Sequence, residues 1–196
     1  PPEEILELVD VPLAPSTILD SDGEMMVFLY RDQYKSIAEL SEEELRLGGL
    51  RINPVTNISS RARYYNNLEV KPIDAETPTQ VKGLPENARL ANFNWSPDES
   101  KIAFTHTTNS GVELWVMDLE NAQARKLTEA NLNANMRDVI NWFKDNSSVL
   151  VKMLPEDRKD LINTETAIPT GPTVSVSDGK EAQNRTYQDL LKNPND

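Results

Sequence analysis

No cysteine occurs among the 196 residues, which excludes disulfides, thiolate metal sites and a cysteine nucleophile. That absence leaves the compartment open, because a chain without disulfides can work on either side of a membrane. A single histidine, His106, has neither a second imidazole nor a thiolate to complete a familiar zinc site, so it is expected to be structural, and no metal or cofactor is anticipated. No stretch approaches the roughly 18 to 20 apolar residues of a membrane span. The opening Pro1-Pro2-Glu3-Glu4 lacks the basic start of an export signal, so any such signal is expected upstream or already removed. Positive charge is scarce: 20 Lys and Arg against 32 Asp and Glu give a net charge of -12, the wrong sign for a phosphate-binding surface, and nucleic acid is excluded as a partner. Glycine is also sparse. Seven glycines, thirteen prolines and many short apolar runs point to strands and loops rather than to a helical bundle.

What the chain does contain is a repeat. Trp95-Ser-Pro-Asp98-Glu-Ser-Lys-Ile102-Ala-Phe104 lines up with Trp142-Phe-Lys-Asp145-Asn-Ser-Ser-Val149-Leu-Val151, 47 residues later. Leu19-Asp-Ser-Asp22-Gly-Glu-Met-Met26-Val-Phe28 supplies a third copy, 76 residues before Trp95. Each copy is an apolar strand, a turn centred on Asp and a second strand of Val, Ile and Phe. An Asp in such a turn bonds its side chain to the nearby backbone and fixes the reversal, so the pattern predicts antiparallel hairpins.

The middle copy continues with Val112-Glu-Leu114-Trp-Val116-Met-Asp118 and, after a polar turn, Ala124-Arg-Lys-Leu127-Thr128. Four strands in about 40 residues match one blade of a β-propeller. The first copy completes similarly through strands 68–73 and 80–84. The expected architecture is therefore mainly β. It is a partial propeller with one blade over 12–84, interrupted by an insertion at 31–64, a second over 90–128, a partial third over 138–154, and an extended insertion over 155–196. Both insertions follow the second strand of their blade, so they are expected on one face.

Ser36-Ile-Ala-Glu39 and Ser41-Glu-Glu-Glu44 have capping-box spacing, and Gly48-Gly49 is a natural stop, which predicts a short helix over 37–47 with Glu42 to Glu44 in a solvated first turn. Residues 187–191 are expected to add one helical turn. Trp95, Trp115 and Trp142 read as core, because two of them share one repeat position. Asp20-Ser-Asp22-Gly23-Glu24 begins like a calcium loop, but Met25 stands where an EF-hand needs glycine, so a hairpin turn is the better reading. Asn57, Asn146 and Asn184 each open a glycosylation sequon, matches that arise by chance in an Asn-rich chain.

The Trp-Ser-Pro-Asp hairpin with Leu114-Trp115-Val116-Met117-Asp118 and Arg125-Lys-Leu-Thr resembles blades of prolyl oligopeptidase and dipeptidyl peptidase propellers, and those of TolB-type periplasmic propellers. A narrower resemblance lies in the order of Pro2-Glu-Glu-Ile5, Val9-Asp10-Val-Pro12, Gly49-Leu-Arg51-Ile52, Asn57 to Arg61 and Arg185-Thr-Tyr-Gln-Asp-Leu-Leu191. That series is similar to the N-terminal region of glutamyl endopeptidases. The resemblance implies a propeller that gates and selects peptides for a C-terminal α/β-hydrolase domain, which attacks after Glu through a Ser-Asp-His triad. No Gly-x-Ser-x-Gly elbow occurs here and His106 precedes any possible hydrolase region, so the catalytic residues are expected elsewhere in a longer protein.

Under the peptidase reading, Arg51, Arg61 and Arg63 are the candidate substrate-binding residues, because a guanidinium offers a carboxylate two parallel donors. The alternatives are ion pairing within an acidic chain and, for the whole protein, a TolB-like propeller that binds protein partners without catalysis. The expected partners are peptide substrate and the hydrolase domain. Analogy points to a bacterial periplasm or secretion, with the plastid as alternative. An open arc of blades leaves a face uncovered, so these residues are expected to self-associate, or to leave part of 155–196 disordered.

Overall fold

The structure, a computed structural model, describes residues 2–9, 11–158 and 178–179. In chain order the elements are α1 (Glu3–Val9), β1 (Ser16–Leu19), β2 (Met25–Tyr30), α2 (Ile37–Leu40), β3 (Leu45–Leu47) and β4 (Leu50–Ile52). They continue with β5 (Asn67–Pro72), β6 (Thr79–Gln80), β7 (Leu90–Trp95), β8 (Lys101–Thr107), β9 (Val112–Asp118), β10 (Gln123–Lys126), β11 (Ile140–Trp142) and β12 (Val149–Val151). The described fold is mainly β, and every strand pair is antiparallel. Two four-stranded sheets run in the orders β1-β2-β5-β6 and β10-β9-β8-β7, and β11-β12 and β3-β4 are two-stranded.

The three copies of the repeat are hairpins with one register. Leu19 faces Met26, Trp95 faces Ile102 and Trp142 faces Val149, so residue n meets residue n+7 each time. Gly23, Glu99 and Asn146, which occupy the same repeat position, all have positive φ, at 72°, 54° and 55°. The turn imposes this backbone on whichever residue stands there, and Gly or Asn accepts it at least cost. An aspartate braces each reversal: Asp98 Oδ1 accepts from Ser96 Oγ and Ser100 N at 2.7 and 3.2 Å, and Asp145 Oδ1 from Ser147 N and Ser148 N at 3.0 and 3.1 Å. In the first copy the brace is Asp20 rather than the aligned Asp22; its Oδ1 accepts from Glu24 N at 2.9 Å and Met25 N at 3.1 Å.

The pleat sends alternate side chains of the middle sheet to opposite faces. Ile102, Phe104, Trp115 and Met117 join Val27, Leu29, Leu68 and Val70 of the first sheet in one core. Ala103, Val112 and Leu114 join Leu132, Val139 and Ile140 in a second. Because it is covered on both faces, β8 reads as a nearly continuous buried run, and Phe104 is fully buried. Equivalent turns are bonded in sequence: Ser21 N and Oγ donate to Glu99 Oε2 at 2.9 and 2.7 Å, and Asp98 N donates to Asn146 Oδ1 at 3.0 Å. All three tryptophans pack against these cores, and Trp142 Nε1 also donates to Asn94 O at 3.0 Å.

The insertion departs from the expected helix over 37–47. Ser36 caps it as anticipated, its Oγ accepting from Glu39 N at 3.1 Å, but α2 ends at Leu40 after one turn. Gly48 and Gly49 have φ of 55° and 92° and form the two-residue loop of hairpin β3-β4, where Leu47 faces Leu50. Two glycines in sequence satisfy a tight hairpin as readily as a helix stop, and the alternating Leu45, Leu47, Leu50 and Ile52 favour the strand. Glu44 consequently lies outside any helix. The reading of a helical first turn fails for Glu42 and Glu43 as well, since α2 ends at Leu40, and the Glu44 carboxylate is drawn into bonds with Arg46, Arg51 and Ser60. Helix α1 was not anticipated. The expected turn at 187–191, and all but the start of the 155–196 insertion, lie outside the described residues, apart from 178–179.

Candidate functional site

Where β2 ends, the chain enters the insertion, and it returns to the first sheet through 61–66. The return is pinned from below. Asn53 Oδ1 accepts from Val55 N and Thr56 N at 2.9 and 3.0 Å, closing a turn that carries Asn57 at φ 55°. Asn57 Nδ2 donates to Asn133 Oδ1 at 2.7 Å, and Ile58, buried in the second core, bridges to Ala134. Beyond it, Ala62 and Tyr64 pack against the same core while Arg61 and Arg63 are exposed. Arg61 stands in a turn closed by the bond from Ala62 N to Ser59 O at 2.9 Å, and Tyr65 then bridges to Leu90.

This return, the start of the insertion and the 85–89 linker enclose an open cleft of about 990 Å³. Five cationic side chains line it, Arg31, Lys35, Arg61, Arg63 and Arg89, against three carboxylates, Asp32, Glu39 and Glu42. Every carboxylate is engaged. Asp32 accepts from Asn66 at 3.0 Å, Glu39 pairs with Lys35 at 2.9 Å, and Glu42 holds Arg89 at 3.0 Å and Asn53 at 2.8 Å. Arg89 also lies over the Tyr64 ring, 4.4 Å from its centroid, a cation–π contact that orients the guanidinium. Its backbone N–H donates to His106 Nδ1 at 3.2 Å. Burial holds the imidazole pKa below its ordinary value despite the opposing charge of Glu113, and Arg89 lowers it further. His106 therefore supports the linker from the sheet below, and it takes no place in the cleft lining.

The three sequence-predicted arginines separate. Arg61 and Arg63 line the cleft, and among the described residues neither side chain has a carboxylate partner. Arg51 lies instead in β4, where its Nη1 donates to Glu44 Oε1 at 2.8 Å. Glu44 also accepts from Ser60 Oγ and Arg46 Nε, and these bonds, led by those from Ser60 and Arg51, bring its carboxyl down to about 2. Arg51 thus braces the base of the insertion and lines none of the described clefts. Arg31 and Arg89 escaped the sequence reading because no local motif marks them. Arg61 and Arg63 were singled out only as guanidinium groups able to hold a carboxylate. The sequon residue Asn57 is buried and bonded to Asn133, and Asn184 lies outside the described residues.

At the other end of β2, a second cleft of about 720 Å³ is lined by Asp20, Glu24, Asp74, Glu99, Asp118 and Glu120 with a single cation, Lys101. The described clefts are thus of opposite charge.

No family model matches the chain. Over its whole length it is 32% identical to a protein of Oryza sativa subsp. japonica named probable glutamyl endopeptidase, chloroplastic. It is 31% identical to one of the same name from Arabidopsis thaliana. The chain spans 22% of the length of each of these relatives.

Proposed function

We propose that this chain is the N-terminal part of a β-propeller in a serine endopeptidase of the prolyl oligopeptidase superfamily, which gates access for peptides cleaved after glutamate. The observation that carries the reading is the match, end to end, to two proteins named glutamyl endopeptidase. The common n to n+7 register of the three hairpins and the bonds between their turns support the blade architecture, since a propeller stacks such sheets side by side.

On this reading the acyl-transfer chemistry belongs to a hydrolase domain elsewhere in the protein. These residues form a wall of the passage to it, and the wall admits a single extended chain while excluding folded protein. The relatives' names place them in chloroplasts, which supports a plastid over a bacterial periplasm. The test is cleavage by the protein that carries this chain of two fluorogenic peptides that differ only in Glu or Gln at the scissile position. Cleavage of the Glu peptide, abolished by a serine-directed phosphonate, is expected. Failure to cleave either peptide would replace this account with a binding propeller of the TolB type.

A further inference from the structure

We infer that the cationic cleft at the base of the 31–66 insertion binds an acidic segment of extended peptide, through Arg61 and Arg63 with Arg31 and Arg89 beside them. The inference rests on the peptidase reading for the origin of the peptide, but the binding chemistry stands on the cleft itself.

The first ground is charge. In a chain of net charge -12, this cleft gathers five cations against three carboxylates, and those carboxylates are already bonded to Lys35, Arg89, Asn53 and Asn66. Arg46, Arg51 and Arg89 are each paired with a carboxylate. Arg61 and Arg63 are not, and their exposed guanidinium groups keep their full set of donors for a ligand. Arg31 adds a buried Nε that has no hydrogen-bond partner. Such an unmet donor is costly, and an acceptor brought by a ligand relieves the cost.

Spacing is the second ground. Ala62 and Tyr64 are held on the core, so Arg61 and Arg63 project from alternate positions of one segment. Alternate side chains of a bound extended peptide recur at about 7 Å. A peptide with several acidic residues can offer a separate carboxylate to each guanidinium, which a small single anion cannot do. Arg89 is fixed between Glu42 and the Tyr64 ring and so presents its remaining donors in a set direction, with little ordering left to be lost on binding. The long-range field of an acidic protein opposes an acidic ligand, so attraction arises only within the cleft and weakens as salt screens it.

The experiment uses the protein that carries this chain, treated with the phosphonate, and fluorescein-labelled hexaglutamate and hexaglutamine read by anisotropy. Hexaglutamate is expected to bind, more weakly at 300 mM than at 50 mM salt, and hexaglutamine not to bind. The double variant R61Q/R63Q is expected to lose about tenfold or more in hexaglutamate affinity. Its unfolding midpoint should be unchanged, because both side chains are exposed and unpaired. Arg125→Gln, an exposed position outside the cleft lining, should bind as the parent does. Equal binding of the two peptides, an unaltered affinity in R61Q/R63Q, or an equal loss in Arg125→Gln each overturns the inference. Cleavage after Glu by a protein whose R61Q/R63Q variant binds normally would overturn the cleft alone. Charge-selective binding without cleavage would keep the cleft and discard the peptidase.

Discussion

Single side chains show how the fold is held near the site. Glu44 gathers three donors, and its pKa of about 2 against an ordinary 4.5 means that the folded state binds its proton less readily than the unfolded chain does. A carboxyl lowered in this way stabilises the fold above pH 4.5, and the contribution fades as pH falls toward 2. Glu44→Gln is therefore expected to lower the urea midpoint at pH 7, with the gap from the parent narrowing steadily on acidification. A constant gap would mean that the bonds act through shape rather than charge. His106 has the same sign. Its pKa is lowered, so stability is complete above the ordinary 6.5 and declines as pH falls through the depressed value. Since His106 is the chain's one histidine, His106→Asn should remove that slope from urea titrations between pH 7.5 and 5.5. Gly111 illustrates close approach, because a Cβ there would stand 2.1 Å from the carbonyl oxygen of Ala130. Gly111→Ala should cost about 1–3 kcal/mol, the range for forced overpacking, measured by urea denaturation.

Among the elements, the hairpins were legible and the insertion was not. The repeated Asp-centred turn, flanked by Val, Ile and Phe, carries its own geometry, so the turns of β1-β2, β7-β8 and β11-β12 fell where the repeat put them, while the strands run up to five residues beyond it. In the insertion, Gly48-Gly49 satisfies both a helix end and a two-residue hairpin. The alternating Leu45, Leu47, Leu50 and Ile52 favour the hairpin, and bonds from Arg51 and Ser60 to Glu44 hold its base. The cleft was half visible. Arg61 and Arg63 were named for guanidinium chemistry and lie in one stretch, whereas Arg31 and Arg89 come from separate stretches that only the closed fold brings to them. Stacking of sheets supplies the element-scale test. Phe104 is fully buried between the first two sheets, and Phe104→Ala is expected to cost about 3–5 kcal/mol in chemical denaturation. A loss below about 1 kcal/mol would mean that those sheets do not form one core.

At the scale of the molecule, the two ends of β2 differ in sign, with the arginine-rich cleft at one and the carboxylate-rich cleft at the other. Separation of charge on that scale orients an approaching ligand before contact. Among the described residues the third repeat hairpin, β11-β12, has two strands where the sheets of the first two have four, and Phe143, Leu150 and Met153 around it are exposed. Apolar surface beside an unpaired edge seeks cover, so the isolated 196-residue chain should show a mass that rises with concentration in light scattering. A constant monomer mass would argue for an independently folded domain. The gating claim is tested most directly by offering the protein that carries this chain one Glu-containing sequence in two forms, as a free short peptide and within a stably folded protein. The account predicts phosphonate-sensitive cleavage of the free peptide and survival of the folded protein until it is denatured. Equal cleavage of both forms would contradict it.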